Sequence, residues 1–324
     1  MLSFVHQRLR HDEDHPMTKP PAAGRHRAGM TLVEVLAVCV IMGILASLAL
    51  PALARAIARS RLTQCTNNQY QVAFALLRHD EQFGSIPGWL NQSPNGATVA
   101  CSWAVPLLPF LGRNDIYDVW PNLPNNPTID AFVCPANRPA KAITYPVLHY
   151  AANVGGSGTN ANDGVFLNLY TGASSTLSLD AIAEADGTST TLAFAEKGAS
   201  DFQPHAWTFG YAPASVPTAA TFGSGTTAPP VFGVFGSPLA SVINNAAVRA
   251  FAPSSVHGGG VVVAFCDGHT AFLSDKLQPY VYAQLLTRKS RWQGTTNSTN
   301  SPAMQPWLLK SGVPYLLDET ALRP

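Results

Sequence analysis

The sequence predicts an α+β fold. A long N-terminal helix, its first half suited to a membrane, packs by its second half on an antiparallel β-sheet head with long loops. Three observations carry this. Residues 30–50 hold one charged side chain, Glu34, and residues 35–50 hold none. Leu62, Cys65, Gln69, Val72 and Leu76 then recur at helical spacing, one seam along a helix. Further on, short apolar runs are separated by Gly, Pro and Asn, the pattern of strands joined by turns.

The helix comes first. About 20 residues at ~1.5 Å each span a hydrocarbon core of ~30 Å. Arg25, His26 and Arg27 precede the run and favour a cytoplasmic leader. Arg55, Arg59 and Arg61 beyond it weaken that asymmetry without reversing it. After Pro51 the helix formers resume at once, so the proline is expected to kink the helix rather than end it. Gly84 and Pro87 are its stop signals. The division that follows is a leader at residues 1–29, a membrane and amphipathic helix at 30–84, a head at 85–290 and a tail at 291–324. Met17 offers a second start, from which the leader is shorter.

Glu34 is out of place in a plain anchor. A carboxylate at the centre of a membrane helix costs about 2.5–3.5 kcal/mol on insertion scales, and less near the interface. The stretch Gly29-Met30-Thr31-Leu32-Val33-Glu34, followed by the apolar run, resembles the class III signal of type IV prepilins and pseudopilins. That resemblance implies cleavage after Gly29 by a prepilin peptidase, methylation of the new amino terminus at Met30, and a role for Glu34 in assembly by pairing with a neighbour's amine. Two plainer readings compete: an uncut signal anchor, and a secretory signal with an A-x-A-like site at Ala52-Leu53-Ala54. The run exceeds the 7–15 residues usual for a secretory signal.

Composition narrows the function classes. The chain of 324 residues is 12% charged with a formal net charge of +1. The leader holds five basic residues (Arg8, Arg10, Lys19, Arg25, Arg27) against Asp12, Glu13 and Asp14, so the remainder is near −1. That balance carries no signal for nucleic acid. No C-x-x-C occurs among the five cysteines. Cys39 lies in the apolar run. Cys65, Cys101, Cys134 and Cys266 permit two disulfides in three pairings, or remain free and buried.

In the head, Ala131-Phe132-Val133-Cys134 is expected as a short strand, residues 148–153 as an extended piece and residues 164–170 as another strand. A short helix is expected at residues 178–183 and a buried strand at 190–196. The Ala/Pro/Thr/Gly-rich residues 212–230 read as an insertion without structure of its own. Residues 261–265 and 270–273 flank Asp267-Gly268, a favoured type I′ pair, and predict a hairpin. A short helix over 275–288 follows.

His257, nine residues, then Asp267-Gly268 forms a second signature. It comes with Gln64-Cys65-Thr66-Asn67-Asn68, Phe83-Gly84-Ser85-Ile86-Pro87, Ser102-Trp103, Phe132-Val133-Cys134-Pro135, and Asp186-Gly187-Thr188-Ser189 with Phe194-Ala195-Glu196. Together they resemble a planctomycete-expanded family of pilin-like proteins with a C-terminal domain of unknown function. The resemblance covers roughly residues 29–290. The long leader, the 212–230 insertion and the tail depart from it.

Chemistry competes poorly with packing in this reading. His257, Asp267 and His269 are the candidates for a metal or an acid–base pair, but Asp267 reads as a turn residue and His257 as a backbone-bonded one. Asp186 reads as a turn or cap, with calcium the minor alternative. Glu196, ending an apolar strand, is expected to pair with a polar neighbour. No Gly-x-Ser-x-Gly elbow or phosphate loop is present. The expectation is a structural subunit, not an enzyme and without a cofactor. It is single-pass in the bacterial cytoplasmic membrane, head outside, and its partners are the prepilin peptidase/methyltransferase and other pilin-like subunits of a fibre. The alternative is a membrane-tethered ligand- or calcium-binding module that does not polymerise.

Overall fold

The computed structural model describes residues 30–96, 99–123, 127–137, 147–155, 164–170, 176–198, 205–206, 231–233, 243–245, 252–288, 309–310 and 313–314. The leader with Gly29, the 212–230 insertion and most of the tail lie outside these residues. The chain divides into two compact units, residues 1–53 and 54–324. Helix α1 (Leu32–Phe83), 52 residues long, contributes to both.

The first unit begins with a reciprocal cap. Thr31 N–H and Oγ1–H donate to Glu34 Oε2 at 2.8 and 3.0 Å, and Glu34 N–H donates back to Thr31 Oγ1 at 3.3 Å. This is the capping box, in which a Thr and a Glu three residues on satisfy orphan N–H groups of the first turn. Glu34 therefore has a local reason to stand at that position. Every residue from Met30 to Leu53 is exposed. Ser47 hides its hydroxyl by donating to Ile44 O at 2.7 Å, so the run presents little besides hydrocarbon. By length and composition it is long and apolar enough to cross a membrane.

In the second unit α1 buries one face: Cys65, Asn68, Gln69, Val72, Ala73, Ala75, Leu76 and His79. The expected seam is there, with Leu62 half-buried at its start. Gly84, at φ +66°, closes the helix as its N–H bonds Asp80 O at 2.7 Å.

The main sheet has five strands: β1 (Tyr150–Gly155), β2 (Leu192–Glu196), β3 (Val231–Gly233), β4 (Gly260–Phe265) and β5 (Thr270–Ser274). Their order is β3-β1-β2-β4-β5. The pairs among β1, β2, β4 and β5 are antiparallel, as expected, while the edge strand β3 runs parallel to β1. Both faces are covered. Tyr150, Ala152, Val154, Phe194 and Ala264 join the core that contains Cys65, Val72 and Leu76 of α1. Ala151, Leu192, Ala195, Val261, Val263 and Phe265 join a second core with the helix Pro279–Leu286. Burial on both faces explains why Val261-Val262-Val263-Ala264-Phe265 is continuously apolar rather than alternating.

Several local expectations are corrected. The Asp267-Gly268 turn is not type I′, because Asp267 lacks the positive φ that type requires. Gly268 N–H bonds Phe265 O, Phe265 N–H bonds His269 O, and only Gly268 takes a positive φ, +90°. That is the three-residue loop in which a left-handed glycine follows a turn. Residues 131–134 form no strand: Asp130–Phe132 is a 3₁₀ turn. Asn68 and His149 take up the backbone polar groups that a ladder would have used. Residues 164–170 make a single bridge, Leu90 to Asn168, rather than a strand. The helix after the hairpin is shorter than 275–288, beginning at Pro279, a residue pre-organised for the first helical position. The helix Leu179–Ala183 stands where expected, with Ser178 as its cap.

Candidate functional site

Four distant segments of the second unit converge on one buried point. α1 supplies Cys65 from its buried face. The segment after the 3₁₀ turn supplies Cys134, whose N–H is held by His149 Nδ1 at 3.0 Å. β2 supplies Glu196 as its last residue. The loop entering β4 supplies His257, whose N–H bonds Ser255 Oγ at 3.0 Å. That loop is tied down twice. Ser254 N–H donates to Glu196 O at 3.0 Å, and Ser255 N–H donates to Oδ1 of Asn244 at 2.7 Å.

The side chains are in mutual contact. Cys65 Sγ–H donates to Glu196 Oε1 at 2.7 Å. His257 Nε2 lies 3.5 Å from the same oxygen and 3.4 Å from Cys134 Sγ. The other oxygen, Glu196 Oε2, accepts Val262 N–H at 2.9 Å. Tyr150 OH lies 3.3 Å from Cys65 Sγ. One donor atom from each of Cys65, Cys134, Glu196 and His257 lies within 4.8 Å of all the others. Cys65, Cys134 and Glu196 are buried, and the His257 side chain keeps 8% of its surface exposed.

A buried carboxylate without partners would be very costly, and the electrostatics follow from how this one is compensated. Burial pushes the Glu196 carboxyl up, but the His257 ring, the Cys65 thiol and the Val262 N–H outweigh it and hold it below the ordinary value. Burial likewise opposes charge on His257, yet the Cys134 sulfur and the Glu196 carboxylate raise it to about 10. The Cys134 thiol is brought down to about 7, first by its hydrogen bond with Cys65 and then by His257, against burial. Cys65 moves the other way, driven up by its bond with Cys134, by burial and by the charge of Glu196. The result is a cation–anion pair with one sulfur poised as thiolate.

The other sequence candidates are placed elsewhere. Asp267 and His269 pair with each other, Oδ1 to Nδ1 at 2.6 Å, on the exposed turn, where the His269 ring stacks on Phe265. They are not gathered with His257; among the described residues the one group of metal-ligating type contains neither. All five cysteines are free thiols. Cys101 donates to Gln92 O at 3.4 Å and burial pushes its thiol up to about 12. Cys266 is buried beside the hairpin turn, Cys39 is exposed in the apolar run, and Met30 is the first described residue. Sequence reasoning singled out Cys65, Cys134, Glu196 and His257 separately and did not join them. One signal was available: each belongs to a different one of the short segments that carry the second resemblance.

Comparison with known families agrees with the two halves of the chain. Residues 24–50 match the prokaryotic N-terminal methylation motif, and residues 54–280 match the family described as a protein of unknown function, DUF1559. No curated protein and no solved structure matches.

Proposed function

We propose, from the premise that this chain belongs to the DUF1559 family, that it is a pilin-like structural subunit that assembles into a pilus-like or secretion-type pseudopilus fibre. The N-terminal methylation motif marks it as a type IV pilin-like prepilin substrate, with the processing peptidase and membrane association which that implies. One observation carries the reading: the motif runs into an apolar helix that is exposed on every side and that no described residue of its own unit covers. Such a surface needs lipid, other helices or both. Cleavage after Gly29 frees a cationic amine at Met30, and the head lies on the extracytoplasmic side. In a fibre the helices of neighbouring subunits bury one another's apolar faces.

Glu34 has two duties in this scheme, the cap to Thr31 and the neutralisation of a neighbour's amine. Two substitutions separate them. Glu34→Gln keeps a capping side chain and removes the charge; Glu34→Ala removes both. Both variants are expected to be processed normally and to be lost from sheared fibres. Wild-type fibre levels in Glu34→Gln would eliminate the charge role. The first measurement is the intact mass and N-terminal sequence of the membrane-extracted protein. A methylated Met30 supports the pathway. An uncut chain, or a start just beyond Ala54, removes it. If Met30 is methylated and no fibre contains the chain, the tethered binding module takes its place.

A further inference from the structure

We propose that Cys65, Cys134, Glu196 and His257 form a tetrahedral zinc site that ties the second half of α1 to the sheet of the head. This goes beyond fibre assembly and does not depend on it.

The donor set is the first argument. Two sulfurs, one imidazole nitrogen and one carboxylate oxygen suit zinc, whereas calcium and magnesium take oxygen donors. Geometry is the second. Bonds of about 2.0–2.3 Å place neighbouring donors of a zinc tetrahedron roughly 3.3–3.8 Å apart. His257 Nε2 already stands 3.5 Å from Glu196 Oε1 and 3.4 Å from Cys134 Sγ. The short edge, Cys65 Sγ to Glu196 Oε1 at 2.7 Å, is held by a shared proton. A cation that displaces that proton relaxes the edge outward. Binding then releases two protons, one from Cys65 and one from the Cys134–His257 pair, and forms four bonds to the metal with no change of oxidation state.

The surroundings are also those of a ligand cage. Val262 N–H occupies Glu196 Oε2 and leaves Oε1 as the single inward oxygen. Tyr150 OH stands against the Cys65 sulfur. The Cys134 backbone is fixed by His149. Groups that orient ligands in this way are a regular part of zinc sites. His257, with its residual exposure, supplies the way in. The site would cross-link positions 65, 134, 196 and 257, so the metal's binding energy becomes folding energy of the head.

The test is metal analysis of the full chain, extracted in detergent without chelator. One zinc per chain is expected. Replacement by Co(II) should give the sulfur-to-cobalt charge-transfer absorption and the strong visible bands of a tetrahedral site. His257→Gln should weaken zinc binding by more than the ~10–100-fold typical of losing a supporting group. Asp267→Asn and His269→Gln, on the exposed turn, should leave zinc content unchanged. If His257→Gln fails to fold, the cobalt spectrum of the wild-type chain still decides. Recovery of a Cys65–Cys134 disulfide from the native protein overturns the site. So do free thiols that take up neither zinc nor cobalt, and so does zinc lost with Asp267 or His269. None of these outcomes bears on whether Met30 is methylated.

Discussion

Leu45 is 61% exposed and Leu76 is fully buried, although both sit in one helix built from similar residues. Around Leu45 the neighbours are apolar on every side, so no face prefers a protein core. Around Leu76 one side is buried, with Val72, Ala73 and Ala75, while Gln71, Phe74, Arg78 and Glu81 face outward, so the helix has an inside and an outside. An all-apolar helix wants a medium, whereas a helix apolar on one face wants a partner. Among the described residues the first unit therefore buries no core, and the second is built around its stretch of α1.

Truncating each leucine sharpens that contrast most. Leu76→Ala should lower the stability of the head by about 2–5 kcal/mol, the range for a buried leucine that leaves a cavity. Leu45→Ala should leave head unfolding unchanged. Denaturant titration of the full chain in detergent, followed by tryptophan fluorescence, reads both, and equal effects would break the distinction between the two halves. A smaller effect comes from the helix–hairpin contact within the head. A Cβ on Gly268 would lie 2.9 Å from Leu77 Cδ1, at a φ of +90° that L residues rarely adopt. Gly268→Ala is expected to cost about 1–3 kcal/mol in the same titration, and a neutral result would mean the turn shifts freely away from α1.

The smallest effect is a pH dependence at the end of the buried face. Burial holds His79 below its ordinary imidazole value, with its Nδ1 2.9 Å from Ser85 O. As pH falls from about 6.5, the unfolded chain takes up a proton before the folded one does, so stability is lost toward the lowered folded value. His79→Gln keeps a donor for Ser85 and removes the titration. The loss of stability as pH falls below about 6.5 should be shallower in that variant, and an unchanged slope would assign the acid sensitivity to other groups.

Features governed by neighbours in sequence were legible beforehand. The helix, its seam, its stop at Gly84, the hairpin and the short helix near residue 180 all depend on residues within a few positions of one another. Residues 131–134 were misread as a strand because their backbone partners are the side chains of Asn68 and His149. The Asp-Gly pair marked a turn but not its type, since two-residue and three-residue loops use the same dipeptide. The candidate site was legible only in pieces.

Period and composition determined the apolar membrane run, the one-sided helix beyond it, the α+β class and the processing motif, because each is a local regularity that the backbone geometry converts directly into structure. Only the tertiary structure decided that Cys65, Cys134, Glu196 and His257 meet. Their encounter depends on which sheet face receives α1 and on the β2–β4 register, in which Ala195 sits opposite Val263. Those are set by packing the whole core at once, and no stretch of chain short enough to show a pattern contains them.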